Sequence, residues 1–228
     1  MWHRGQMVLR ISKRNNHMLT CEEAKKIMGK HYIGPEMFLD IQKRFPISLP
    51  ARIPAIPYTA QILTRLRKEY LLVLGTSSFQ DGVSITVNRI RELMGTDQVV
   101  SEPCMYNQDW YLKEPFANKT TLKPRWYLVQ KEVIKKTRGV DPKHAVRLLP
   151  KHSELPSAIL LAYTFFVYYA ATGKMLWKHD FLWCSDRDKN GDQIYVGRYE
   201  DPKHMNKNGF NIHRHLSIRP SYGCVAQL

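Results

Sequence analysis

The pattern most suggestive of chemistry is a set of four oxygen-bearing side chains at alternate positions. They are Asp186, Asp188, Asn190 and Asp192. Such ligands around a glycine, here Gly191, are typical of a calcium loop of the EF-hand type. That loop also needs a bidentate glutamate at its twelfth position, where this chain has Gly197, and a helix on each side. We therefore interpret the stretch as an acidic turn between two strands, with weak calcium binding as the alternative.

Common catalytic motifs are absent from the sequence, which contains no G-x-S-x-G, H-E-x-x-H or P-loop pattern. A divalent-metal nuclease could use the three aspartates of the acidic turn beside Arg187 and Lys189. However, three acids within one tight turn seldom reach a single ion without a more distant fourth ligand. We therefore expect a protein that is not an enzyme and that needs no cofactor, apart from the calcium alternative.

Histidine and cysteine offer little further support for a metal site. His213 and His215 would share one face of a strand, and we interpret them as surface side chains rather than metal ligands. The cysteines are far apart and form no C-x-x-C motif. They are expected to be reduced core residues, and a Cys184–Cys224 disulfide between two C-terminal strands is the alternative.

The chain is strongly basic. It has 35 lysines and arginines against 20 acidic residues, a net charge of +15. This balance favours polyanionic partners, so the alternative function is that of a nucleic-acid-binding protein or a ribonucleoprotein component, with nucleic acid bound through a basic surface. The basic clusters lie at residues 65–68, 89–91 and 131–138. Solvated helix faces would explain the same residues.

Hydrophobic periodicity and capping signals define the elements that must position these residues. Thr20 and Glu23 form a capping-box pattern that predicts a helix from Cys21 to Gly29. Further helices are predicted at residues 35–44, 59–68 and 83–94, and a helix that is apolar on nearly every face is predicted from Ser153 to Thr172. Strands are predicted at residues 70–74, 126–129, 180–184, 193–199, 210–215 and 223–227.

These elements predict an α+β protein in two parts. Residues 1–69 form a basic, mainly helical and proline-rich N-terminal extension, and residues 70–228 form the main domain. The longest apolar run, residues 158–171, is too short to span a membrane. Because the N-terminus also lacks the apolar core of a signal peptide, we expect a cytoplasmic protein.

A set of short motifs in the second part resembles a known pattern. The motifs are Trp126-Tyr127-Leu128-Val129, Glu154-Leu155-Pro156-Ser157, Trp183-Cys184-Ser185-Asp186, Tyr195-Val196-Gly197-Arg198-Tyr199 and Gly223-Cys224-Val225-Ala226. Over residues 70–228 the chain resembles uncharacterised proteins of environmental bacteria, whose C-termini look like the variable proteins of diversity-generating retroelements. The arginine that follows the final glycine in that family is missing here. The resemblance implies a C-type-lectin-like C-terminal domain whose last strands carry diversified, ligand-facing residues.

Retroelement diversification changes adenines, so asparagine codons cannot become lysine, glutamate, glutamine, methionine or tryptophan codons. None of these types occurs in residues 208–222. The resemblance therefore implies a ligand-binding surface, which suits the adaptable contacts of such side chains. The residues are Asn211, His213, Arg214, His215, Ser217, Arg219, Ser221 and Tyr222. The expected ligand is a protein or peptide rather than a sugar, because the calcium-and-carbohydrate motif of true lectins is missing.

Overall fold

The computed structural model describes residues 18–97, 102–199, 209–214 and 217–228. Residues 1–17 of the predicted extension, Asn208 and His215 therefore lie outside the described residues. The helices are α1 Cys21–Met28, α2 Phe38–Ile41, α3 Ala60–Leu66, α4 Val87–Met94, α5 Pro115–Asn118, α6 Pro142–Arg147 and α7 Ala158–Thr172. The strands are β1 Tyr32–Ile33, β2 Tyr70–Leu74, β3 Trp126–Gln130, β4 Phe181–Arg187, β5 Gln193–Tyr199, β6 Gly209–His213 and β7 Tyr222–Gly223.

Threonine caps fix the beginnings of three helices. The predicted capping box at α1 is confirmed, because Thr20 Oγ1 accepts from the Glu23 N–H and the Glu23 carboxylate accepts from the Thr20 N–H. Thr59 caps α3, and Thr86 caps α4. Helix α4 begins later than predicted because the preceding residues are extended, with the Ile85 N–H donating to the Ser77 carbonyl. The predicted helix 35–44 is a 3₁₀ turn at Pro35–Met37 followed by the short α2.

The strands form two sheets. The first has the order β1-β2-β3, with β1 parallel and β3 antiparallel to β2. The second has the order β6-β5-β4-β7, with β7 parallel to β4 and the other neighbours antiparallel. The predicted last strand, 223–227, is divided between them. After β7 the chain turns to β3, where the Leu228 N–H donates to the Leu128 carbonyl at 3.0 Å.

Helix α7 packs between the two sheets. The Tyr163 hydroxyl donates to the Leu74 carbonyl of the first sheet at 2.8 Å, and the Phe165 ring lies 4.9 Å from the Phe210 ring of the second. The helix is buried on nearly all sides, as the sequence predicts, but it begins at Ala158 rather than Ser153. The reason is that Glu154 is extended and exchanges two backbone hydrogen bonds with Gln227, so Ser157 becomes the N-cap.

The structure is α+β and places residues 18–69 in the same hydrophobic core as the rest. Strand β1 extends the first sheet, and the Phe45 ring stacks 5.9 Å from that of Phe166 in α7. The part predicted as an extension therefore supplies core side chains. In the described part of the chain, no helix is both long and apolar enough to cross a membrane.

Candidate ligand-binding site

The candidate site is built on the outer face of the second sheet, the face turned away from α7. Residues alternate along each strand, so that the inner side chains of β4 and β5 enter the main core while the outer ones form a second cluster. The outer cluster is aromatic. Its rings are those of Phe181, Trp183, Tyr195 and Tyr222, and the Tyr195 and Tyr222 rings lie 4.9 Å apart. These rings give the site a rigid floor.

His213, at the end of β6, lies partly buried against this aromatic floor. Its ring centre is 5.7 Å from that of Tyr195 and 5.9 Å from that of Phe181. The Gln108 side-chain nitrogen lies 3.3 Å from His213 Nδ1. Burial lowers the pKa of His213 from 6.5 to about 4, because removal from water disfavours the charged imidazolium. The side chain is therefore neutral at physiological pH.

Arg214 is fixed by two neighbours. Its guanidinium forms an ion pair with the buried Asp188 carboxylate and lies over the Trp110 ring, 4.5 Å from the ring centre. Asp188 also accepts from the backbone N–H groups of Asn190 and Asp192, which closes the acidic turn. Burial raises the pKa of Asp188, but these hydrogen bonds and the arginine outweigh it, and the pKa is lowered. The acidic turn thus anchors the residue at which the C-terminal segment leaves β6.

From residue 217 to its return to the sheet the chain is exposed. Ser217, Ile218, Arg219 and Pro220 are exposed, and Ile218 keeps 42% of its accessible surface. The return is a turn in which the Tyr222 N–H donates to the Arg219 carbonyl at 2.9 Å. The half-buried Ser221 then accepts at its carbonyl from the Phe181 N–H. We name the side chains of residues 213, 214 and 217–221 the recognition surface.

Two predicted contact residues are not part of this surface. Asn211 is 3% exposed, and its side-chain amide donates to the Gly209 carbonyl within β6. Tyr222 is also 3% exposed and belongs to the aromatic floor. The expectation that both are exposed contacts is wrong, because the Asn211 amide is held against its own strand and the Tyr222 ring is enclosed by the other rings of the aromatic floor. His215 lies outside the described residues.

The four predicted oxygen ligands do not converge. Asp186 Oδ2 accepts from the Ala158 N–H at the start of α7, whereas Asp188 turns to Arg214. Burial raises the pKa of Asp186. Asn190 is exposed, and Asp192 is half-buried. Within the described residues, no group of three or more histidine, cysteine or acidic side chains is arranged to hold a metal ion.

Sequence reasoning missed the residues that support the surface. Trp110 and Gln108 come from a loop about a hundred residues away along the chain, and nothing local connects them to β6. The aromatic floor had a usable signal, because Phe181 and Trp183 alternate with the core residues Leu182 and Cys184. The cysteines are free; Cys104, Cys184 and Cys224 are buried and Cys21 is half-buried, so the disulfide alternative is not observed.

Comparison with known proteins found no match to this chain among family models, curated proteins or solved structures.

Proposed function

We propose that the protein is a non-catalytic binding protein that contacts a protein or peptide ligand through the recognition surface. In this proposal residues 70–228 carry a C-type-lectin-like domain, and the exposed segment is a diversified region of the kind found in retroelement variable proteins. The contact residues are His213, Arg214, Ser217, Arg219 and Ser221, joined by Ile218.

The observation that carries the proposal is the contrast between an exposed segment and its fixed ends. Ser217 to Pro220 are exposed, whereas β6 before them and β7 after them belong to one sheet. Substitutions at exposed positions on such a frame change the surface chemistry at little cost in stability. Arg, Ser and Ile at these positions offer charge, adaptable hydrogen bonds and an apolar contact.

The sheet arrangement is a second support. The chain after β7 returns to β3 and links the two sheets, so the end of the described chain scaffolds the recognition surface. This agrees with the role that the last strands have in C-type-lectin-like proteins, according to the resemblance in the sequence.

The proposal is tested by sequencing the gene's 3′ end and neighbourhood in many cells of one population. We expect codons 208–222 to vary at positions that derive from adenines, beside a reverse transcriptase gene and a near-copy of the stretch. Variation should concentrate in the exposed residues 217–219 and spare Gly209 and Gly223, because a side chain introduced at either glycine would overlap neighbouring residues. An invariant stretch without a template copy would refute the diversified surface.

Nucleic-acid binding is the second candidate, because two of the predicted basic clusters meet in the fold. Lys68, Lys131 and Lys135 line one groove of about 330 Å³. Burial lowers the pKa of Lys131, whose ammonium lies 2.9 Å from His31 Nε2. By contrast, Arg89 of the remaining basic cluster, residues 89–91, is paired with Asp81 and Glu92.

Salt dependence distinguishes this candidate. If the groove binds a phosphate backbone, affinity for a single-stranded oligonucleotide falls steeply with salt. Replacing Lys68 and Lys135 with glutamate would then abolish that affinity, while the matched double change Lys119→Glu and Lys123→Glu on another exposed segment would not. Equal losses of oligonucleotide affinity in the two double variants would show that the interaction depends on net charge alone.

A further inference from the structure

A cavity of about 620 Å³ lies between α6, residues 149–157 and the adjoining parts of β4 and β5. We call it the α6 cavity. It shares no residue with the recognition surface, and its volume lies within the range of ordinary ligand pockets. A second binding site can therefore be considered independently of the first.

The walls of the α6 cavity combine aliphatic and cationic side chains. Val146, Leu149 and Leu155 supply the apolar surface. The cations are Lys143, Arg147 and Arg187, all exposed to solvent. Within the described residues, neither Lys143 nor Arg147 forms an ion pair, so both are available to an anionic group.

Among the described residues, the one carboxylate that lines the cavity is already engaged. Glu154 Oε1 accepts from the Gln227 side-chain amide at 2.7 Å. Arg187 donates to the Gly191 carbonyl at 2.7 Å, which holds its guanidinium beside the cavity. Three cations against one hydrogen-bonded carboxylate give the cavity a positive potential, and this favours acidic occupants.

Gln227 contributes an unused acceptor. The residue is 7% exposed, and its side-chain oxygen accepts no hydrogen bond from the described residues. Buried acceptors are normally satisfied, so this unpaired oxygen favours a bound donor at this edge of the cavity. A peptide N–H is a donor of this kind.

We propose that the α6 cavity binds a short acidic segment of a partner protein. Acidic side chains of the segment pair with Lys143, Arg147 and Arg187, and aliphatic side chains contact Val146 and Leu155. A nucleic acid fits less well, because the described residues that line the cavity include no aromatic ring on which a base would stack. The volume suits a few residues rather than a folded surface.

The test measures binding of the full chain to a fluorescein-labelled peptide, acetyl-Glu-Leu-Glu-Leu-Glu-amide, by fluorescence anisotropy. We expect saturable binding, and no binding of the counterpart with lysine in place of each glutamate. Arg147→Glu should weaken binding by about tenfold or more, because it places a negative charge at the cavity. Arg147 is exposed, so the variant should fold normally.

Two matched controls make the result decisive. Arg52→Glu changes the net charge equally at an exposed position elsewhere and should alter affinity by about twofold at most. Arg219→Glu tests whether the peptide is taken by the recognition surface instead, and a loss of affinity in this variant as large as that in Arg147→Glu overturns the proposal. The proposal is overturned if the acidic peptide does not bind, if Arg52→Glu weakens binding as much as Arg147→Glu, or if an oligonucleotide binds with the same dependence on Arg147.

Discussion

Asp188 and Arg214 connect two parts of the chain that sequence alone does not relate. The aspartate closes the turn between β4 and β5, and the arginine is the residue that follows β6. Because the Asp188 side chain is fully buried, its charge needs the arginine and the backbone N–H groups around it. The pair therefore sets the starting direction of the recognition surface while it satisfies a buried charge.

Replacing Asp188 with asparagine should destabilise the protein by about 1–2 kcal/mol. The amide keeps an acceptor for the turn but leaves Arg214 without its charged partner. Urea unfolding measures the loss, and the exposed Asn190→Ser change in the same turn is the control, expected within about 0.5 kcal/mol. Equal midpoints for Asp188→Asn and the wild type would show that the pair does not contribute.

A calcium site in this turn would act against the same pair. A cation bound to Asp188 would have to displace the Arg214 guanidinium. We predict that millimolar calcium chloride leaves the thermal unfolding midpoint unchanged, although extracellular-type sites are populated at such concentrations. A calcium-dependent increase that disappears in Asp188→Asn would restore the metal interpretation of the turn.

His213 should make stability depend on pH. Its pKa falls from 6.5 to about 4 on folding, so the unfolded chain binds more protons between these values. Stability should therefore decrease as pH falls from about 6.5 to about 4 and show no further contribution from His213 below that. The difference between the wild type and His213→Gln in urea unfolding isolates this contribution, since the two chains share all their other titratable groups. A pH-independent difference would contradict the burial of the neutral ring.

At the scale of elements, the close approach of β4 to β5 leaves no room for a side chain at one position of β5. Gly197 lies opposite Phe181 of β4. A Cβ atom at residue 197 would overlap the Asp180 carbonyl and lie 2.9 Å from the Phe181 Cα. Both atoms belong to the backbone, so they cannot move aside as a flexible side chain would.

We predict that Gly197→Ala destabilises the protein by about 3 kcal/mol or more, as severe overpacking does. Gly173 is the matched control. It ends α7 in the left-handed region with φ +70°, and no heavy atom lies within 4 Å of a Cβ placed there. Gly173→Asn should cost about 1 kcal/mol at most, because asparagine adopts this conformation readily. Thermal melts should give a clearly lower unfolding midpoint for Gly197→Ala than for Gly173→Asn, and the reverse order would contradict the close packing of β4 and β5.

Elements with a purely local signal were predictable, and those set by distant partners were not. The continuous apolar run of β2 and the alternation of β5 gave their observed bounds. The start of α7 was misplaced because Glu154 pairs with Gln227, seventy-three residues away. The exposure of residues 217–219 was expected from the sequence, but the burial of Asn211 and Tyr222 depends on neighbours that local sequence does not reveal.

At the scale of the whole molecule, the first part of the chain belongs to the main core. The Phe45 ring contacts those of Phe79 and Phe166, and β1 pairs with β2. The proline-rich composition of residues 46–57 is compatible with a linker or with a covering segment, and the burial of Ile47 and Ile56 fits a covering segment. Composition alone does not show whether an extended segment covers a core or separates two domains.

The fragment 70–228 should therefore lack a cooperative thermal transition, whereas the full chain should show one. Loss of residues 18–69 exposes core side chains of α7 and leaves β2 at the edge of its sheet. Phe45→Ala in the full chain removes only the ring that packs against α7, and it should lower the free energy of unfolding by about 3–5 kcal/mol. Circular dichroism melts provide both readouts, and a sharply unfolding fragment would reinstate a domain boundary near residue 70.

Helix α7 also bears on how the protein reaches its native state. Eleven of its fifteen residues are buried, and their partners come from both sheets and from the first part of the chain. Until all these partners are in place, the helix presents apolar surface on several sides, and such intermediates self-associate. Refolding yield should consequently fall as protein concentration rises. Assembly in the cell therefore requires that this apolar helix stay shielded from other chains until all of its packing partners are in place.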